Sequence, residues 1–332
     1  MSDDTGTGTG SETATAPVDL FAGVEETPGV DKPDPILVAH DVVRRFGGLT
    51  AVHVQRLQVQ RGSITALIGP NGAGKTTFFN LITGFDKAQA GAWSFDGTPL
   101  QGRSAHRAAR LGIVRTFQLT KALARMRVID NMKLGATGQL GEHFLPAFLQ
   151  PLWGDQERRI EKQADRLLER FNLTRVRNDF AGELSGGQRK LLEMARALMS
   201  EPSFLLLDEP MAGVNPALAE TIVSHVRTLR DEGLTVLFVE HDMDIVRTIS
   251  DWVVVMSEGE LIAEGRHSSI VTNPAVIDAY LGAHHGTPLD RAEQDRQLAE
   301  ADAAITAAEG EGEGAAEAAD EGEAADEEGQ GS

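Results

Sequence analysis

The chain of 332 residues has no cysteine, a single tyrosine and only 5% aromatic residues. Lack of cysteine excludes disulfides, thiolate metal sites and cysteine nucleophiles together, and fits a reducing compartment. Long apolar runs are missing too. Val236 to Val239 ends in Glu240, His241 and Asp242, and no window approaches the ~18 consecutive apolar residues of a membrane helix. A basic excess is also absent. The formal charge is −19, with eight acids against Lys32 in residues 1–35 and fifteen against Arg291 and Arg296 in residues 286–332. That leaves 28 basic and 27 acidic residues in between, a nearly neutral middle. Such a surface does not track a nucleic-acid backbone, so no nucleic acid is expected as a partner. Asp3, Asp4 and Glu12 stand where a secretory leader would need positive charge before an apolar stretch, so no export signal is read. Any service to a membrane would come from outside the bilayer.

The 41% hydrophobic content is ordinary for a globular core. Residues 1–34 are rich in Thr, Gly, Ser, Pro and acids, a composition that predicts a disordered N-terminal arm. From Ile36 short apolar strands begin. Ile64–Ile68 runs through a glycine-rich turn into a helix from Lys75, and Phe204–Leu207 and Thr235–Val239 read as strands covered on both faces. Between them Ile160, Ala164, Leu167, Leu168 and Phe171, then Leu191, Met194, Ala195 and Leu198, then Ile222, Val226 and Leu229 fall at helical spacing. Alternation of this kind predicts an α/β domain over 35–285. Residues from about 120 to 182 read as helix and loop, which predicts an inserted helical subdomain. The Ala-, Glu-, Asp- and Gly-rich stretch 286–332 is an acidic low-complexity tail expected to stay solvated.

Chemistry is concentrated in four segments. Gly69, Pro70, Asn71, Gly72, Ala73, Gly74, Lys75, Thr76 and Thr77 match the phosphate-binding loop, set between strand and helix. Glycine backbone N–H groups and the helix N-terminus suit phosphate oxygens; Lys75 would reach the β- and γ-phosphates of ATP and Thr76 would offer a hydroxyl to Mg2+. Asp208 and Glu209 follow a buried strand, where α/β sheets place ligands: Asp208 is the candidate for the metal and Glu209 for the proton of an attacking water. Leu184, Ser185, Gly186, Gly187 and Gln188 precede an apolar helix and offer a second set of N–H groups with a hydroxyl. One nucleotide rarely needs two such cradles, so this one is expected to serve the ATP held by another copy. His241 follows the strand Thr235–Val239 and could meet a γ-phosphate.

In their order along the chain, Gly69–Thr77, Leu184–Gln188, Asp208 and Glu209, then His241, the segments resemble the ABC ATPase family over about residues 36–284, an α/β P-loop fold with a β-rich N-terminal subdomain and an inserted helical subdomain. The resemblance implies that Gln118 links magnesium and water to the membrane-subunit contact and that Phe46 stacks on adenine. Asn215 stands where many members carry an aspartate. Arg45–Leu49, Glu240–Met243 and Asn273–Gly282 are similar to the larger ATPase subunit of branched-chain amino-acid importers. That implies permease subunits and a second ATPase chain, identical or homologous, as direct partners, a substrate-binding protein indirectly, and a place on the cytoplasmic face of the cell membrane. Related transporters of urea, amides or lipopolysaccharide, and soluble non-transport ABC ATPases, share much of the pattern. The apolar run Phe144, Leu145, Phe148, Leu149, Leu152 and Trp153 either packs on its own subdomain or contacts the membrane subunits.

Overall fold

The computed structural model describes residues 19–116, 124–136 and 150–283, with backbone only for 150–153 and 282–283. Two sheets share the molecule. The first is antiparallel and takes β1 (Pro35–Phe46), β2 (Leu49–Gln60), β4 (Ala90–Phe95) and β5 (Thr98–Pro99) in the order β2-β1-β4-β5. Phe46 pairs with Leu49 across Gly47 and Gly48, a two-residue hairpin whose Gly47 has φ 57°. The second sheet runs β10-β9-β3-β8-β7-β6. Here β3 (Ile64–Ile68), β6 (Ile113–Arg115), β7 (Phe204–Asp208), β8 (Thr235–Val239) and β9 (Trp252–Ser257) pair in parallel, and β10 (Glu260–Gly265) returns antiparallel at the edge. Every residue of β3 and β8 is buried, as strands covered on both faces require.

The helices are α1 (Lys75–Ile82), α2 (Ala105–Arg110), α3 (Val128–Lys133), α4 (Gln150–Arg170), α5 (Gly186–Leu198), α6 (Pro216–Asp231), α7 (Met243–Ile249), α8 (His267–Ile270) and α9 (Pro274–Ala283). Between 124 and 182 the described residues hold helix and turn, with one isolated bridge from Arg127 to Phe180. Core side chains join the two sheets: Val42, Val52 and Trp93 belong to the same apolar cluster as Phe79, Leu67 and Phe204, and Phe95 stacks on Phe204 with ring centroids 5.9 Å apart. The chain divides into two compact units between Ala279 and Tyr280, and the side chains of the candidate site described below lie in the first.

The expected arm through residue 34 is corrected from Asp19 onward. Phe21 is buried and stacks on Trp252 with centroids 4.5 Å apart, and Lys32 is buried in an ion pair with Glu264. Leu20, Val24 and Val30 pack against the same core. Averaging over 34 residues hid these apolar side chains behind the Thr- and Gly-rich start. Of the apolar run Phe144–Trp153, residues 144–149 fall outside the described residues and 150–153 are seen only as the first backbone turn of α4.

Candidate nucleotide site

The phosphate loop is built by packing on both sides. Buried β3 delivers the chain to Gly69, and Phe78, Phe79, Leu81 and Ile82 anchor α1 in the core, each burial stabilising by about 1.5–3 kcal/mol. Between these anchors the loop presses against backbone. A Cβ at Gly69 would lie 2.0 Å from the Met256 carbonyl oxygen, and one at Gly74 2.3 Å from that of Ala51. Gly74 has φ 96° and serves as the N-cap of α1 without any side-chain hydrogen bond, so no side chain caps the first-turn N–H groups. These are the features of an anion cradle. Asn71, Gly72 and Thr76 are exposed, Thr77 is half-buried and Ala73 is buried. Lys75 Nζ donates to the carbonyl oxygens of Gly69 at 2.7 Å and Pro70 at 2.9 Å. Burial pushes the Lys75 ammonium below its ordinary pKa, opposed by the charges of Glu209 and Asp208. A phosphate would give this folded-back cation a stronger partner than two neutral carbonyls.

Asp208 closes β7 and Glu209 turns away from it. Glu209 has φ 46°, a left-handed conformation that costs a non-glycine residue and redirects its side chain, while its N–H donates to the Val239 carbonyl at 3.0 Å. His241 Nδ1 lies 4.0 Å from Glu209 Oε1, and its side chain is 65% exposed. Glu240, which precedes His241 in the turn after β8, is buried and accepts a hydrogen bond from Met211 N at 3.0 Å, so it fastens the segment after Glu209 to the segment that carries His241. Burial raises the Glu240 pKa. The turn therefore sends one acid inward as a brace and the histidine outward.

Ser185 is the N-cap of α5 and forms a reciprocal capping box with Gln188: Gln188 N donates to Ser185 Oγ at 3.2 Å, and Ser185 N to Gln188 Oε1 at 2.9 Å. Not every N–H at this helix start is therefore bare, since that of Gln188 is taken by the cap. Gly186 is open, and a Cβ at Gly187 would meet Leu218 Cδ2 at 2.4 Å. Among the described residues no hydrogen bond or ion pair joins Ser185–Gln188 to the phosphate loop, although Lys190 one turn on reaches the Glu209 carbonyl at 3.4 Å. Asn215 caps α6 by accepting from Leu218 N at 2.9 Å. Phe46 ends β1, is half exposed and carries the Arg44 guanidinium 4.4 Å from its ring centroid. Gln118 lies outside the described residues.

Lys75, Asp208, Glu209 and His241 thus meet around the C-terminal ends of β3, β7 and β8, with Phe46 at the end of β1. Sequence reasoning missed Arg115, Asn80 and Glu240, all tied to these elements. An arginine closing an apolar strand and an acid between Val239 and His241 were the available signals. The donor set suits Mg2+. Thr76 and Asp208 supply hard oxygens, and no cluster of three His, Cys, Asp or Glu exists among the described residues. Such a site fits an ion that keeps waters and phosphate oxygens as ligands rather than one held in a protein cage.

Comparison with known proteins identifies the family. The family described as "ABC transporter" matches residues 52–212, and that described as "Branched-chain amino acid ATP-binding cassette transporter" matches residues 260–286. The chain is 41% identical over 248 residues to the probable branched-chain amino acid transport ATP-binding protein LivG of Archaeoglobus fulgidus, covering 75% of this chain and 96% of the relative. It is 42% identical over 250 residues to the high-affinity branched-chain amino acid transport ATP-binding protein BraF of Pseudomonas aeruginosa, covering 75% and 98%. Among solved structures, the ADP conformation of an ATP-binding cassette of an ABC transporter matches with TM-score 0.65 and 37% identity over 75% of this chain and 99% of that one. With likeness of this degree spanning nearly the whole of each relative, the chain belongs to the ATP-binding proteins of ABC transporters.

Proposed function

We propose that this chain hydrolyses ATP to power an importer of branched-chain amino acids. One observation carries the choice of cargo: residues 260–286 match the branched-chain family in a region separate from the generic cassette. The relatives' names point the same way.

Each residue then has a task. Gly69–Thr77 bind the phosphates of ATP, with Lys75 exchanging the Gly69 and Pro70 carbonyls for the β- and γ-phosphates. Thr76 and Asp208, with Gln118, are the residues that would hold Mg2+, which when bound neutralises charge developing on the phosphates. Glu209 takes or orients the proton of the attacking water, and His241, 4.0 Å from it, steadies the γ-phosphate side. Phe46 offers its face to adenine. Ser185 and Gly187 of a second copy, or of a homologous ATPase chain, cover the same phosphate, so that binding closes a dimer and hydrolysis reopens it. Permease subunits couple to this cycle, with a substrate-binding protein acting only through them. Among the described residues no helix is long and apolar enough to cross a membrane. A peripheral position on the cytoplasmic face follows from the permease contact.

Glu209→Gln protein, given ATP and detergent-solubilised membranes of its source, should retain permease subunits that identify the cargo class. Recovery of ribosomes or DNA instead would overturn the transport reading.

A further inference from the structure

Below Asp208 lies a cation that the catalytic scheme does not use. Arg115, the last residue of β6, has a side chain only 5% exposed, and its Nη2 donates to Asp208 Oδ2 at 2.5 Å. Nη1 donates to Asn80 Oδ1 on α1, also at 2.5 Å. The guanidinium carbon lies 5.6 Å from the centre of the Phe79 ring on the same helix. Backbone strengthens this junction: Thr116 N donates to the Leu206 carbonyl at 3.0 Å, and the Asn80 carbonyl accepts from Phe85 and Asp86. One planar fork therefore ties the helix that begins with Lys75 and Thr76 to the strand that ends in Asp208. It does so three residues before Gln118 in the sequence.

We propose that Arg115 is a positioning residue that aims Asp208 for the metal of the nucleotide complex. Two cations compete for Asp208, since Lys75 also feels its charge. With Oδ2 held by Arg115, Oδ1 is left for the ion or its water, and Lys75 is left for phosphate. Without Arg115, the Asp208 carboxylate, 11% exposed, has Lys75 as its compensating charge, a pairing that draws both groups from their tasks. Asn80 and the Phe79 ring fix the guanidinium from behind, which a lysine ammonium, a point charge without a fork, cannot reproduce in full.

This inference rests on Asp208 serving the metal, and the test separates the two. In a Glu209→Gln background, where nucleotide is not consumed, binding of a fluorescent ATP analogue is followed by anisotropy in EDTA and during a Mn2+ titration. Bound Mn2+ is counted by electron paramagnetic resonance. Arg115→Met should raise the Mn2+ needed for half-maximal binding about tenfold or more, the size of one lost charge-assisted hydrogen bond, and leave affinity in EDTA within about twofold. Arg115→Lys should recover part of the loss. Asp208→Asn should abolish the Mn2+ dependence. If Asp208→Asn acts and Arg115→Met leaves the Mn2+ requirement within about twofold, the positioning role is wrong although Asp208 keeps its own. Equal loss in EDTA and Mn2+ for Arg115→Met overturns the role in favour of a structural one. No effect of Asp208→Asn removes the metal reading, and this inference with it.

Discussion

The Lys32–Glu264 pair gives the sharpest test of how the residues before β1 are held. Both side chains are almost wholly removed from solvent, at 1% and 0% exposure. Glu264 Oε1 accepts from Lys32 Nζ and, at 2.9 Å, from Trp252 Nε1, while Oε2 accepts from Gly29 N at 2.8 Å. Lys32 Nζ also sits 4.5 Å from the centre of the Trp252 ring. Burial drives the Lys32 pKa down and the carboxylate opposes it, so the ammonium depends on Glu264 for its charge. Glu264→Gln leaves that buried cation without the carboxylate that pairs with it, with only the exposed Asp31 still acting on its charge, a loss of about 3–5 kcal/mol. At about 2–4 °C per kcal/mol for a domain of this size, the thermal midpoint should fall by roughly 6–20 °C. Lys32→Met leaves the carboxylate with two N–H donors, so its cost should fall at the low end of that range. The double variant removes both charges and should be better than the sum of the singles by about 2 kcal/mol. Thermal unfolding of the full chain, followed by circular dichroism, measures all four corners of the cycle. Added salt should change the differences little, because the pair is shielded from it. A shift below about 2 °C for Glu264→Gln, or an additive double variant, would refute the claim that these residues are clamped through a buried charge.

Glu209→Gln should lower ATP turnover by about 10²–10⁴-fold and leave ATP affinity nearly unchanged, since the role proposed for the side chain is on water rather than on the phosphates; a wild-type rate would remove Glu209 from the chemistry. Gly69→Ala places a methyl 2.0 Å from the Met256 oxygen, whereas Gly72→Ala meets nothing within 4 Å. The first should cost about 1–3 kcal/mol and most nucleotide affinity, the second only the strain of φ 78°, and equal effects would contradict the packed loop. Ser185→Ala should lose about 1 kcal/mol of cap, which Ser185→Asp restores in thermal melts. Neither should restore ATP-driven dimerisation, because an aspartate repels the γ-phosphate; full dimerisation by Ser185→Asp would rule out the role assigned to the hydroxyl.

What the sequence makes legible is what its neighbours along the chain decide. The strand Ile64–Ile68, the glycine spacing and Lys75–Thr77 agree within fourteen residues, and the structure places the strand end, the loop and the helix start at those positions. Thr235–Val239 is a strand over the same residues, and Phe204–Leu207 runs one further, to Asp208 itself. Pairings between distant residues leave no such trace. Phe21 finds Trp252, Lys32 finds Glu264 and Arg115 finds Asp208 across 231, 232 and 93 positions, and each residue alone is an unremarkable aromatic or cation. The left-handed turn at Glu209 is equally silent, because its composition suggests no strain; in the structure its N–H is held by the Val239 carbonyl on the neighbouring strand. Even Ser185–Gln188 divides this way. The capping box is local and follows from residue spacing, whereas the role proposed for Ser185 at a nucleotide calls for a second chain, which its own neighbours along the sequence cannot reveal. The groups proposed to touch ATP can therefore be named from local pattern, but those that brace Asp208 and the turn after Glu209, Arg115 and Glu240 among them, become visible only when the strands are set side by side.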